Sequence, residues 1–331
     1  MVRRADQEPP AIAPTRQDHS GRPPARSVRC LHCMTAPRQV LPGVTYLVSR
    51  RCFDRMFLLR PSPLVSSLFE YVLATKAKEY GVLLHAYVVL SNHWHCVLTD
   101  PLGRLPEFQR DLGSTVARAL NAALGRWESF WAPGSYSAVA LQTAEDVLDK
   151  MAYVLANPVA AGLVRRGSEW PGLWSAPSTI GAGAREVKRP DHFFRKEGPS
   201  PMTGSLELVC PKGFGSIDEL RQRLTDALTE REDRAARELA EAGRSFMGVR
   251  KVLAQSPFAR PAPGEPRRGL KPRLASRDKW KRVEAMGRLK AFLAEYREAW
   301  RSFKAGARDA AFPEGTYGMR VWCGVACASS A

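Results

Sequence analysis

His93 and His95 stand one residue apart in "YVVLSNHWHCVLTD", residues 87–100 of a chain with only six histidines. In a strand, residues i and i+2 project from the same face, so both imidazoles point together while Trp94 and Cys96 point the other way. Two imidazoles so placed can converge on one divalent ion that needs only one or two further ligands. The plain alternative is a strand with two half-buried histidines, and the spacing alone leaves both readings open. A second stretch, "TAEDVLDKMAYVLANP" (143–158), bears on the choice. At about 100° per residue, Leu148, Met151, Ala152 and Leu155 form one apolar helical stripe. Tyr153 and Asn157, four residues apart, lie one above the other nearly opposite that stripe. Tyr153 is therefore not an ordinary core aromatic of its own helix, although it could pack on a neighbouring element. Lys150, three residues earlier on the same side, joins Tyr153 as a candidate catalytic residue, against the alternative of a solvated surface lysine.

A tyrosine, an amide and a histidine pair suit phosphodiester chemistry. A divalent metal held by two imidazoles and an amide oxygen polarises the phosphate, and a phenolate attacks phosphorus. An ordinary tyrosine ionises near pH ~10, so the metal or a neighbouring cation must assist. The phosphotyrosine so formed keeps the bond energy, so a strand could be cut and rejoined without a nucleotide cofactor.

These residues need a scaffold. "GVTYLVSRR" (43–51) reads as a strand, and "SPLVSSLFEYVLATKAKEYG" (62–81) as a helix opened by Pro63 and closed by Gly81. "VLLHAYVVL" and "HWHCVL" are two strands joined by Ser91-Asn92, a two-residue turn. "LPEFQRDLGSTVARALNAAL" (105–124) is a second long helix, weakened by Gly113, and "YSAVALQ" (136–142) a further strand. Thr143 and Asp146 then have the spacing of a capping box at the start of the tyrosine helix, and Pro158 is expected to end or kink it just past Asn157. The order is the split βαβ, ferredoxin-like pattern, an α+β fold with helices on one face of an antiparallel sheet.

The 331 residues are 44% hydrophobic, which argues for a folded chain, with a net charge of +17 that favours a polyanionic partner. The longest apolar run, Val82 to Leu90, is interrupted by His85 and too short to span a bilayer. The first residues carry positive charge but no apolar core of a secretory signal, and seven scattered cysteines fit a reducing cytosol. The expectation is a cytoplasmic, nucleoid-associated protein with DNA as partner, no membrane, and homodimerisation left open. Residues 1–40 read as a disordered Pro/Arg-rich tail, 41–180 as the catalytic domain, and 181–215 as a linker. Residues 216–311 read as a basic helical DNA-binding region, and 312–331 as a C-terminal tail. Between Arg250 and Lys290, thirteen Lys/Arg face three acids, more than half of the net charge.

Arg250 and Lys251 lie in "LAEAGRSFMGVRKVLAQ" (239–255), which is compatible with a helix-turn-helix or with a generic basic module. Arg267, Arg268, Lys271 and Arg273 suit phosphate contact without base reading, as do Arg50, Arg51 and Arg55 beside the sheet. Cys30/Cys33 and Cys323/Cys327 could make a four-thiolate zinc site, or be four unconnected thiols.

At the chemically suggestive residues the chain resembles a family. "SNHWHCVL" resembles the His-hydrophobic-His motif of HUH single-tyrosine transposases. "YVLANPVAAGLV" (153–164) is similar to their tyrosine helix, particularly in REP-associated tyrosine transposases, and "YLVSRRCFDRMFLL" (46–59) to their opening strand and basic turn. The resemblance spans about residues 42–180, including Trp170-Pro171, and departs at Ser91, where such proteins often carry proline. It implies a ferredoxin-like fold, His93, His95 and Asn157 as ligands of Mg²⁺ or Mn²⁺, and Tyr153 as nucleophile. The implied activity is single-stranded or hairpin DNA cleavage and rejoining through a 5′-phosphotyrosine, in a transposase or a domesticated relative. Two alternatives stay open: a non-catalytic nucleic-acid-binding protein that keeps the fold, and an RNA-processing metallonuclease that does not need Tyr153.

Overall fold

A computed structural model describes residues 37–134, 136–262 and 272–328. The elements run β1 (Val44–Arg51), α1 (Pro63–Tyr80), β2 (Leu83–Leu90), β3 (His93–Asp100), α2 (Leu105–Leu124), β4 (Ser137–Leu141) and α3 (Ala144–Ala160). They continue with β5 (Arg185–Lys188), β6 (Thr203–Leu206), α4 (Ile217–Glu241), α5 (Val249–Ala254), β7 (Leu274–Ala275), α6 (Lys279–Lys304) and α7 (Gly318–Cys323). The main sheet has the order β2-β3-β1-β4-β7. Its first four strands pair antiparallel, and β7 adds to β4 in parallel. The α+β class holds, with a parallel edge strand that the sequence did not announce.

Local chemistry fixes the element ends. The Ser62 hydroxyl accepts from the Val65 amide at 3.2 Å, Pro63 opens α1, and Gly81 closes it at φ 67°. The buried Asp100 carboxylate, at the end of β3, accepts from the Arg104 and Leu105 amides at 2.9 and 2.8 Å and so caps α2. Thr143 and Asp146 make the full capping box of α3.

The helices do not share one face. Trp94, fully buried, meets Phe69 of α1 edge-on at 5.5 Å, and α2 packs beside α1. The tyrosine helix α3 covers the other face, against β2 and β3. One-face placement holds for α1 and α2, the helices that connect strands within the sheet. α3 follows the last of those four strands and is free to cross to the histidine side. Helix α3 also continues through Pro158 to Ala160. Pro158 lies near the helix end and removes only one donor, while the Ala161 amide still bonds to Asn157 and Leu163 to Pro158.

The segment 181–215 is not a bare linker, because it contains the β5–β6 hairpin, which packs on α1. Gly204 permits that approach: a Cβ there would lie 3.2 Å from the Ala74 Cβ and 3.1 Å from the Thr75 Cγ2. Nor does the 216–311 segment stand apart. Leu220, Leu224 and Leu228, one turn apart along α4, join Val252 of α5 in the main core. The described residues make one compact unit. Phe303, Phe312, Met319 and Val325 form a second, smaller cluster. No described helix is long and apolar enough to cross a membrane.

Candidate active site

The β2–β3 turn at Ser91-Asn92 delivers His93 and His95 to the start of a central strand. Ser49 and Val88 flank His95, and Arg51 and Leu90 flank His93. The two imidazole centroids lie 4.9 Å apart, with ring planes nearly perpendicular. Asn92 Oδ1 lies 2.6 Å from His93 Nδ1 and accepts its proton when the ring is the Nδ1–H tautomer, which leaves Nε2 as the lone-pair nitrogen. The Asn92 amide is itself anchored, donating to the Arg55 carbonyl at 3.2 Å.

From the opposite layer, α3 presents Tyr153 and Asn157 on consecutive turns. The Tyr153 ring stands edge-on to His95 at 5.7 Å. Asn157 is buried and close enough to His93 to favour its charged form. That effect is outweighed: burial, reinforced by the Arg51 charge, lowers the His93 pKa to about 4. Burial, the His93 charge and Arg51 hold His95 well below the usual histidine range. Tyr153 is 37% exposed, so its ring is fixed beside His95 while part of it meets solvent.

Lys150 lies beside Tyr153, with its Nζ 5.9 Å from the ring centroid, and it pairs with Asp149 at 2.9 Å. Asp149 also takes Arg231 of α4, and Arg277 at 3.4 Å. The Arg277 amide donates to Asp146 at 2.7 Å. This clasp ties two other chain segments, α4 and the stretch around Arg277, to the N-terminal half of the tyrosine helix.

Two neutral imidazoles and a buried amide fit a divalent cation. His95 Nδ1 is buried and has no hydrogen-bond partner among the described residues, an unmet group that a cation or water would satisfy. Imidazole with amide oxygen suits Mn²⁺ well, while Mg²⁺ prefers more oxygen. Among the described residues no group of three or more His, Cys, Asp or Glu gathers as a metal cluster.

The basic candidates divide. Arg51 shares the His93 face, and Arg55 lies in a turn where it and Asp54 both have positive φ. Arg50 points to the other face, beneath α2, where its guanidinium lies over the Trp131 ring at 5.0 Å. Arg250 and Lys251 are exposed on α5, only six residues long, so a helix-turn-helix with a full second helix is not formed. Arg273 is half-buried beside β4 and donates to the Pro37 carbonyl. Arg267, Arg268 and Lys271 lie outside the described residues, as do Cys30 and Cys33. Cys323 and Cys327 are free thiols beside the smaller cluster.

Asn92, Asp149, Arg231 and Arg277 are the residues that sequence reading passed over. Asn92 could have been found, because it stands next to a candidate ligand within the quoted motif. The Asp149 clasp could not, because its partners lie 82 and 128 positions away.

No family model matches the chain, and no curated protein matches it. Among solved structures, it aligns with a REP-associated tyrosine transposase bound to a REP hairpin, at 21% identity and TM-score 0.36, over 42% of this chain and 80% of the other. A protein assigned as a transposase in Deinococcus radiodurans R1 aligns at 21% identity and TM-score 0.25, over 32% of this chain and 85% of the other.

Proposed function

We propose that the protein cleaves and rejoins single-stranded DNA with Tyr153 as nucleophile, as a transposase or a domesticated relative. The observation that carries this reading is the convergence of Tyr153, His93, His95 and Asn157 from two layers of the fold. A module that only binds nucleic acid has no need of all four.

The chemistry follows from the placement. His93 and His95, neutral by burial, offer lone pairs, and Asn157 offers its oxygen. Bound there, Mg²⁺ or Mn²⁺ would supply Lewis-acid polarisation of the scissile phosphate. Tyr153 releases its proton at its exposed edge, and its oxygen attacks phosphorus. The P–O3′ bond breaks, the leaving oxygen takes up a proton as the 3′-hydroxyl of the released upstream fragment, and the downstream fragment stays on Tyr153 through its 5′-phosphate. Attack by a 3′-hydroxyl on that linkage reverses the step, so the bond energy is kept. Lys150 stands over the ring rather than at its edge, so its charge acts on the phenolate through the ring and through space.

Cleavage of an end-labelled single-stranded oligonucleotide tests the reading. EDTA should abolish it, and added Mn²⁺ or Mg²⁺ should restore it. Cleavage that persists in Tyr153→Phe would instead mark a metallonuclease whose nucleophile is water.

A further inference from the structure

Residues 50 and 51 project to opposite faces of β1. Arg51 faces the histidines, whereas Arg50 lines a separate cleft of ≈ 410 Å³ between α2 and the 128–134 loop, together with Arg118 and Asn121. The loop is joined to the same strand end, because the Ala132 amide donates to the Arg51 carbonyl and the Phe53 amide to the Phe130 carbonyl. The cleft and the tyrosine site therefore flank one strand end from opposite sides.

The cleft has unmet charge. Among the described residues Arg50 pairs with no carboxylate, and its Nε is buried without a partner. Burial lowers its pKa, so the folded chain holds this cation at a cost that an anion would offset. Arg118 is exposed, lies over the Phe193 ring at 5.9 Å, and pairs with no carboxylate among the described residues. Glu128, the one acid in the lining, is paired with Arg126 at 3.7 Å. The Asn121 Oδ1 is also buried without a partner.

The fold makes room for this arginine. A Cβ at Gly113 would collide with Arg50 Nη1, so α2 carries a glycine in its interior, at the helix-propensity cost that implies, directly over the guanidinium. Trp127, 90% exposed, adds a bare aromatic ring one residue before Glu128. A cleft with two arginines, on a loop that an exposed indole precedes, suits a nucleic-acid strand, whose phosphates pair and whose bases stack without sequence preference.

We propose that this cleft binds a backbone phosphate of the DNA single strand through Arg50 and Arg118, as the strand passes over the end of β1 to the tyrosine site. The proposal rests on the nucleic-acid reading above.

Full-length Tyr153→Phe protein, unable to cleave on that reading, is titrated with a fluorescent 20-nucleotide single strand across a salt series. Arg118→Gln and Gly113→Ala are added singly. Arg118→Gln removes an exposed charge that pairs with no carboxylate among the described residues, and Gly113→Ala displaces the Arg50 guanidinium without changing the charge. Each variant should weaken binding about three- to tenfold at low salt and reduce the slope of log affinity against log salt by about 0.7. If the parent binds the strand and both variants match its affinity and slope, the cleft assignment falls alone. If the parent binds no strand, the nucleic-acid reading falls and this one with it. Inorganic phosphate supplies the third arm, read by thermal shift. If the variants lose a phosphate-induced stabilisation but bind the strand like the parent, the ligand is a free phosphate compound and the strand assignment is wrong.

Discussion

Leu224→Ala asks whether the tyrosine helix depends on α4. Leu224 is fully buried in the main core, between Leu220 and Leu228, on the helix that packs most extensively against α3. Losing about three buried carbons costs roughly 2.4 kcal/mol by transfer alone. The cavity left between two long helices adds to this, so the total should fall in the upper part of the ~2–5 kcal/mol seen for buried leucines. For a domain of this size that is a drop of roughly 5–15 °C in Tm. Urea unfolding followed by tryptophan fluorescence is the assay, since Trp94 and Trp170 are buried in the same core. A single transition should move to lower urea with its slope unchanged. Two transitions, with the tryptophan signal unmoved, would refute the packing argument and restore a separate C-terminal module. Because α3 carries both Tyr153 and Asn157, cleavage by the variant should also fail at a lower temperature than in the parent.

Three further outcomes follow from the site and its surroundings. Asn92→Ala removes the acceptor at His93 Nδ1 and should weaken Mn²⁺ binding by about 10- to 100-fold, read by electron paramagnetic resonance; unchanged affinity would mean that Asn92 only forms the turn. His95→Ala should abolish Mn²⁺ binding while the far-ultraviolet circular dichroism spectrum stays native, and retained binding would remove His95 from the ligand set. His85 is buried, with its ring nitrogens 2.8 Å from the Val209 carbonyl and the Thr99 hydroxyl, and burial lowers its pKa to about 4. The unfolded chain therefore binds the extra proton between pH ~6.5 and ~4, and this group's share of stability, roughly 3 kcal/mol, is lost as pH falls through that window. The difference in stability between wild type and His85→Gln should shrink from pH 7 to pH 4; a constant difference would contradict the burial argument.

Much of the site was legible because its residues lie in two short segments of strong periodicity. Strand alternation put His93 and His95 on one face, and helical spacing put Tyr153 over Asn157. The α1 limits followed from Pro63 and Gly81. What escaped was tertiary. Nothing local says which face of the sheet α3 covers, since that depends on its following the last of the four antiparallel strands. Leu220, Leu224 and Leu228 have helical spacing, but nothing local says which partner their stripe packs against. Pro158 was read by its local preference to stop a helix, whereas near a helix end it removes only one donor. Gly113 looked like a weak point in α2 until Arg50 was seen beneath it.

The claim that Tyr153 is the nucleophile is tested most directly by isolating a covalent adduct. Wild-type protein is incubated with Mn²⁺ and a single-stranded oligonucleotide, denatured, digested and sequenced by mass spectrometry. The account predicts a nucleotide mass on the peptide containing Tyr153, at the tyrosine itself, and no adduct from Tyr153→Phe protein that still binds the strand. An adduct on another residue, or cleavage by the wild type with no adduct at any stage, would contradict it.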